Sequence, residues 1–294
     1  MRDLLRRYGV TLSGVFVLLT AFWLLILVIL PYLYLFENSF RPYLPISEMG
    51  GPKDVYSFDN YLTFFQSPIH IQVFVWTVLY SGIVTFLCFA IAYPLAYYLS
   101  KIASPSMVPT LFLLLLIPLW VSEILRAFAW FIILAFKGPL NAGLLWLGII
   151  DAPIRWMSGF RSIMIGLVYT YVLFMLFPLY NAISSLDSNQ IEAAQDLGSP
   201  WWRTHWRVIL PHAKPGIASG GVMVFMLAAG SILVPSLLAS TNSRWFTEII
   251  QQWMFESQDW NTGSAYAFLL LLLCTFLVTA VMRIFRVSLS DIAK

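Results

Sequence analysis

Charged side chains are scarce in this sequence. Asp, Glu, Lys and Arg make up 11% of its 294 residues, less than half of the roughly 25% usual in soluble domains. Hydrophobic residues reach 60% and the mean hydropathy is +0.80. A soluble fold of this length has too little interior to hide so much apolar surface, because size fixes the ratio of surface to volume. Cysteine is nearly absent: Cys88 and Cys274 sit in uncharged runs, with no CxxC and no Cys/His cluster. That excludes a disulfide framework and a metal centre and leaves packing as their role. His70, His205 and His212 offer no convergent ligand set. There is no HExxH, so the membrane-embedded enzyme class lacks a catalytic constellation. There is no G-x-x-x-x-G-K-[ST], so the chain has no P-loop to cradle ATP phosphates. No basic patch is interleaved with aromatics, which removes nucleic acid as a partner.

What the sequence does have is long apolar runs. A spanning helix needs about 20 apolar residues, and six segments qualify: Ser13 to Phe36, Ile71 to Leu99, Met107 to Ala135, Ser162 to Ile183, Ala213 to Ala239, and Ser264 to Ile284. The expectation is an all-α membrane protein with about six transmembrane helices, forming one domain over 1–294. The first run follows Arg2, Arg6 and Arg7. It is too long for a signal-peptide core and has no A-x-A site, so it reads as an uncleaved span. Aromatic residues, at 17%, suit the membrane interfaces.

Lys and Arg in the connecting segments set the orientation. With a cytoplasmic N-terminus, the inner segments hold ten: Arg2, Arg6, Arg7, Lys101, Arg203, Arg207, Lys214, Arg283, Arg286 and Lys294. The outer segments hold six: Arg41, Lys53, Lys137, Arg155, Arg161 and Arg244. Both termini are therefore expected in the cytoplasm. Two outer loops, Glu37 to His70 and Phe136 to Arg161, are long enough to form a docking surface for an extracytoplasmic partner or to serve as solvated connectors.

The segment 187–211 does not fit a membrane. Asn189 can cap a short helix with Glu192 as capping-box partner, and Ala193 and Ala194 are strong helix formers. Gly198 supplies a stop, Pro200 sits just inside a second short helix, and Pro211 ends that helix before the fifth run. Glu192 and Asp196, four residues apart, give a charged face. Two readings fit: a knob that inserts into a groove on a soluble partner, or an interfacial helix held on lipid by Trp201, Trp202, Trp206, Arg203 and Arg207.

Within the third run stand Glu123 and Arg126. Ionisable residues at membrane depth are costly and often mark a pathway. Their i, i+3 spacing equally permits a self-contained structural pair. Trp120, Trp130 and Phe128 could offer aromatic faces to a cationic solute or simply pack.

Glu192-Ala193-Ala194, Gly198, Val208, Leu210 and Pro211 reproduce, with Val208 in the usual place of Ile, the spacing of the EAA loop of bacterial ABC-importer permeases. The stretches Pro118-Leu119-Trp120, Gly138-Pro139-Leu140-Asn141, Ala213-Lys214-Pro215-Gly216-Ile217 and Asp259-Trp260-Asn261 resemble the spermidine/putrescine-type subgroup, in particular the first permease of the pair. The resemblance implies a type I ABC-importer permease (MetI-like) fold in the bacterial inner membrane, carrying a small solute by alternating access. A polyamine-like organic cation is the favoured solute. It implies that Glu192, Ala193, Ala194, Asp196, Leu197, Gly198, Leu210 and Pro211 couple the chain to an ATPase. The implied partners are a second homologous permease, two copies of a cytoplasmic ATP-binding subunit, a periplasmic solute-binding protein and membrane lipid. No cofactor is expected on this chain; ATP and Mg are used by the partner subunits. Glu123, Arg126, Trp120 and Trp130 are the expected pathway residues. The competing class is a secondary carrier or channel without an ATPase partner, which inverted repeats or broken helices would favour.

Overall fold

The computed structural model describes residues 2–48, 50–240 and 243–285. Of the basic residues counted above, Arg286 and Lys294 lie outside the described residues. Among the described residues every regular element is helical. In chain order they are α1 (Arg2–Leu24, continuing through a π-turn at Leu25–Ile29 into Leu30–Ser39), α2 (Asp59–Gln66), α3 (Pro68–Tyr97), α4 (Val108–Trp120), α5 (Glu123–Leu134), α6 (Pro139–Trp146) and α7 (Arg161–Ser184). There follow α8 (Ser188–Asp196), α9 (Trp201–Thr204, a π-turn at His205–Ile209, then Leu210–His212), α10 (Lys214–Ala229), α11 (Leu233–Leu238), α12 (Phe246–Gln251) and α13 (Trp260–Phe285).

Four helical stretches are long and apolar enough to cross a membrane: Thr11–Ser39, Pro68–Ile102, Arg161–Ser184 and Trp260–Phe285. The third expected span is two helices, α4 and α5, meeting at 87°. Pro118 removes one backbone donor near the end of α4, and Val121 and Ser122 then adopt extended backbone. The fifth expected span is also broken. Its long piece, α10, has 16 residues and ends at Ala229, and α11 starts at Leu233 after three intervening residues. A break at membrane depth leaves carbonyls that other groups must satisfy. Here the Trp245 indole N–H donates to the Ala228 carbonyl (3.1 Å), the Thr247 hydroxyl donates to Ser231 (2.6 Å), and the Ser162 hydroxyl donates to Leu238 (2.7 Å).

The chain forms two compact units. One comprises Met1–Ser67 and Ile250–Leu271. In it the long connecting segment after Glu37 is folded and held by side-chain hydrogen bonds and ion pairs. The buried Asn60 amide donates to the carbonyls of Ser39 (2.9 Å) and Arg41 (2.8 Å), and Arg41 forms ion pairs with Glu37 (2.7 Å) and Asp54 (3.0 Å).

The other unit comprises Pro68–Ile249 and Leu272–Lys294. Its core is α3, α7 and α10 packed together. A stripe at Val84, Cys88, Ala92 and Ala96 on α3 is fully buried, the i, i+4 spacing placing all four on one helix face. Both cysteines are free and buried, as packing residues should be. Close approach of α10 to α7 depends on glycine: a Cβ on Gly216 would meet the Pro178 carbonyl oxygen at 2.5 Å, and one on Gly220 would meet Met175 Sδ at 2.8 Å.

Candidate functional site: the coupling segment and the charged residues of the third span

The segment between α7 and α10 is built as a rigid projection. Asp187 caps α8, its carboxylate accepting from the Asn189 backbone N–H at 3.0 Å. The cap is therefore Asp187 rather than Asn189; the two residues have equivalent short acceptors, and the chain turns two residues earlier than the spacing to Glu192 suggests. Gly198 ends the helix with φ +74°, the left-handed conformation glycine tolerates best. The Ser199 N–H reaches the Ala194 carbonyl (3.0 Å) and the Gly198 N–H reaches that of Gln195 (2.8 Å), the paired bonds of a Schellman stop. Pro200, in extended backbone, is the residue before α9 rather than its first turn. Pro211 does not end the second helix; the π-turn at His205–Ile209 precedes it, and the helix continues to His212.

Three contacts fix this projection to the bundle. The Lys101 ammonium donates to the carbonyl of Leu186, next to the α8 cap. Tyr93 Oη and His205 Nδ1 are hydrogen-bonded at 2.6 Å. Ser185 Oγ and His212 Nε2 are hydrogen-bonded at 3.0 Å. His205 also lies edge-on to Tyr97, with ring centroids 4.6 Å apart. Burial holds its pKa below the ordinary 6.5. Ile191, Thr204 and Ile209 point inward and are buried.

The outward side is apolar and acidic. Leu197 is 88% exposed and Trp201 75%. Ala193, also exposed, lies one turn before Leu197 on the same face. Glu192 and Asp196 are exposed and, among the described residues, have no ion pair. Leu210 is half-buried and Pro211 exposed. Sequence reasoning located this segment but missed its tethers, Lys101, Tyr93 and Ser185. The last of these was the only one near it in the chain.

The charged residues of the third span are not paired with each other. Glu123, at the first position of α5, accepts from the hydroxyl of buried Tyr171 on α7 at 3.0 Å. Arg126 donates through Nη1 to the Thr170 carbonyl at 3.4 Å, and among the described residues its buried Nε has no hydrogen-bond partner. Both groups are thus directed to α7. Trp130 packs edge-on against Tyr169 at 5.4 Å. Trp120, on the other side of the bend, is 81% exposed. The structure brings Glu123, Arg126 and Trp130 to one helix face and leaves Trp120 apart from it.

A bundle of apolar helices with a capped projection between the fourth and fifth of its apolar segments is the architecture of a type I ABC-importer permease. The chain belongs to the family described as binding-protein-dependent transport system inner membrane component, whose model matches residues 88–290. Among its relatives is the spermidine/putrescine transport system permease protein PotB of Escherichia coli (strain K12), 36% identical over 244 residues, 83% of this chain and 86% of the relative. PotB of Haemophilus influenzae is 36% identical over 261 residues, 87% of this chain and 88% of the relative. Solved structures show the same fold. A chain of a bacterial ABC transporter that imports the acidic polysaccharide alginate has TM-score 0.73 at 21% identity, covering 97% of both chains. A chain of the MetNI methionine ABC transporter has TM-score 0.54 at 18% identity, covering 74% of this chain and 94% of that one.

Proposed function

We propose that this chain is one of two homologous permease subunits in an ATP-driven importer of a polyamine-like organic cation delivered by a periplasmic binding protein. Both termini face the cytoplasm, where the excess of Lys and Arg lies. Two copies of an ATP-binding subunit, using ATP and Mg, grip the outward side of α8 and the start of α9. The carrying observation is the projection itself. Exposed Leu197 and Trp201 would be unfavourable in water, and unpaired Glu192 and Asp196 beside them suit an apolar groove with a basic rim. Motion of that groove reaches the bundle through Lys101, Tyr93 and Ser185. The polyamine assignment is supported by the relatives and by a carboxylate, Glu123, held by Tyr171 at the bend of the third span. In this reading Glu123 faces the solute pathway while Arg126 ties α5 to the backbone of α7.

The test is uptake. Proteoliposomes holding the permease pair and the ATPase, supplied with binding protein outside and ATP inside, should accumulate labelled spermidine or putrescine. Accumulation that persists without the ATPase would favour a secondary carrier and overturn the proposal.

A further inference from the structure

A cavity of about 1000 Å³ opens beside the start of α7, lined by Tyr80, Phe136, Arg155, Trp156, Phe160 and Arg161 among others. Arg161 is the first residue of α7, and the coupling segment follows the last. At 1.5 Å per residue a helix of 24 residues is about 36 Å long, more than the roughly 30 Å hydrocarbon thickness. The cavity and the coupling segment therefore lie at opposite ends of a membrane-crossing helix, within one compact unit.

The cavity walls are pre-organised. Asn141 is 1% exposed and its amide is fully used. Its Nδ2 donates to the carbonyls of Phe136 (3.0 Å) and Ile154 (2.8 Å), and its Oδ1 accepts from the Ile154 N–H (3.1 Å) and the Trp156 indole (3.0 Å). Gly138 permits the turn before it, since a Cβ there would meet the Ile132 carbonyl oxygen at 2.5 Å. Gly159, at φ +70°, donates its N–H to Ser240 Oγ at 3.0 Å. Tyr80 and Phe160 stack with centroids 4.0 Å apart. These hydrogen bonds and ring contacts hold the loop in place.

On that fixed frame stand two uncompensated cations. Arg155 and Arg161 are exposed, and among the described residues neither guanidinium has an ion-pair or hydrogen-bond partner. Arg161 also occupies the first turn of α7, where the helix dipole is positive and a cation is disfavoured. Both features are relieved by an external anion. A guanidinium matches a carboxylate with two parallel hydrogen bonds. A polycationic solute would be repelled.

We infer that this cavity is a docking seat for carboxylate side chains of the solute-binding protein, with Arg155 and Arg161 as the recognising groups and the solute passing elsewhere. The inference rests on the proposed reading that a binding protein meets this end of the bundle. It assigns that contact a sign: basic on the permease, acidic on the partner.

The experiment uses the complete transporter in nanodiscs and its binding protein. Arg155→Gln with Arg161→Gln should raise the binding-protein concentration needed for half-maximal stimulation of ATP hydrolysis about tenfold and flatten its dependence on NaCl. Basal hydrolysis and the rate at saturating binding protein should not change. Arg155→Lys with Arg161→Lys, which keeps both charges, should retain the salt dependence. Should the Gln pair fail to assemble, loss of salt dependence in either single Gln variant carries the test. A normally stimulated wild type together with a Gln pair of unchanged half-maximal concentration and salt slope would overturn the docking seat alone. A wild type that takes up solute with no response to binding protein would overturn both this inference and the reading beneath it.

Discussion

Tyr93 Oη and His205 Nδ1 lie 2.6 Å apart, although 112 residues separate them in the chain. This bond joins the α8–α9 segment to the C-terminal end of α3, one residue before Pro94, where α3 lacks a backbone donor. On the function proposed above, a movement of α9 would pass to a helix that lacks a backbone hydrogen bond at the adjoining position. Tyr93→Phe keeps the ring and removes the bond. Subunit assembly should be normal, and solute carried per ATP hydrolysed should fall several-fold. Unchanged coupling, measured by uptake and hydrolysis on the same proteoliposomes, would place force transmission at Lys101 or Ser185 instead.

The same histidine sets a pH dependence. Burial lowers its pKa below 6.5 in the folded protein, so the unfolded or detached segment binds the proton more readily. Well above pH 6.5 both states are neutral and His205 contributes no pH dependence. As pH falls through 6.5, protonation increasingly favours detachment, and coupled uptake should decline on the cytoplasmic side. His205→Gln should flatten that limb of the profile. An identical decline in the variant would assign the titration to another group.

Glu123 and Arg126 should behave differently from one another because each holds its own partner on α7. Glu123→Gln keeps an acceptor for Tyr171 and removes the charge, so the complex should assemble while polyamine uptake falls tenfold or more. Arg126→Ala should instead lower the melting temperature of the purified complex, since it frees the Thr170 contact. If the two substitutions give the same pattern of assembly and uptake, the division of roles is wrong.

The glycine contacts between α7 and α10 predict a purely structural effect. Gly216→Ala places a methyl group 2.5 Å from a backbone oxygen, a strain of about 1–3 kcal/mol. Thermal stability should drop while the solute preference of the remaining transporter is kept. Gly82→Ala, which meets open space, should be neutral in the same assay.

Much of this was legible from one dimension. The apolar runs show where helices lie because lipid demands continuous hydrophobicity, and Gly198 shows its left-handed turn because a helix stop followed by proline needs one. The bends at Val121–Ser122 and Gly230–Ser231 were not legible. Hydropathy records composition and not helix continuity, and the groups that satisfy the second break, Trp245, Thr247 and Ser162, are distant in sequence. The Glu123–Arg126 spacing suggested a pair, but tertiary partners on α7 hold both side chains. Asn141 stood in a recognisable stretch, yet its use of all four hydrogen bonds depends on Ile154 and Trp156 folding back over it.

In the function proposed above, α8 and the start of α9 receive the work of ATP hydrolysis. Gly198→Asp tests it with little interference from the chain's own packing. An added Cβ there meets no atom within 4 Å, and Asp tolerates the left-handed region better than most residues. In the reconstituted complex, ATPase stoichiometry, binding-protein-stimulated hydrolysis and solute uptake should be measured together. The permease should insert and the external protein should still bind solute, with uptake lost and the ATPase either dissociated or unresponsive to loaded binding protein. All three quantities at wild-type level would contradict it.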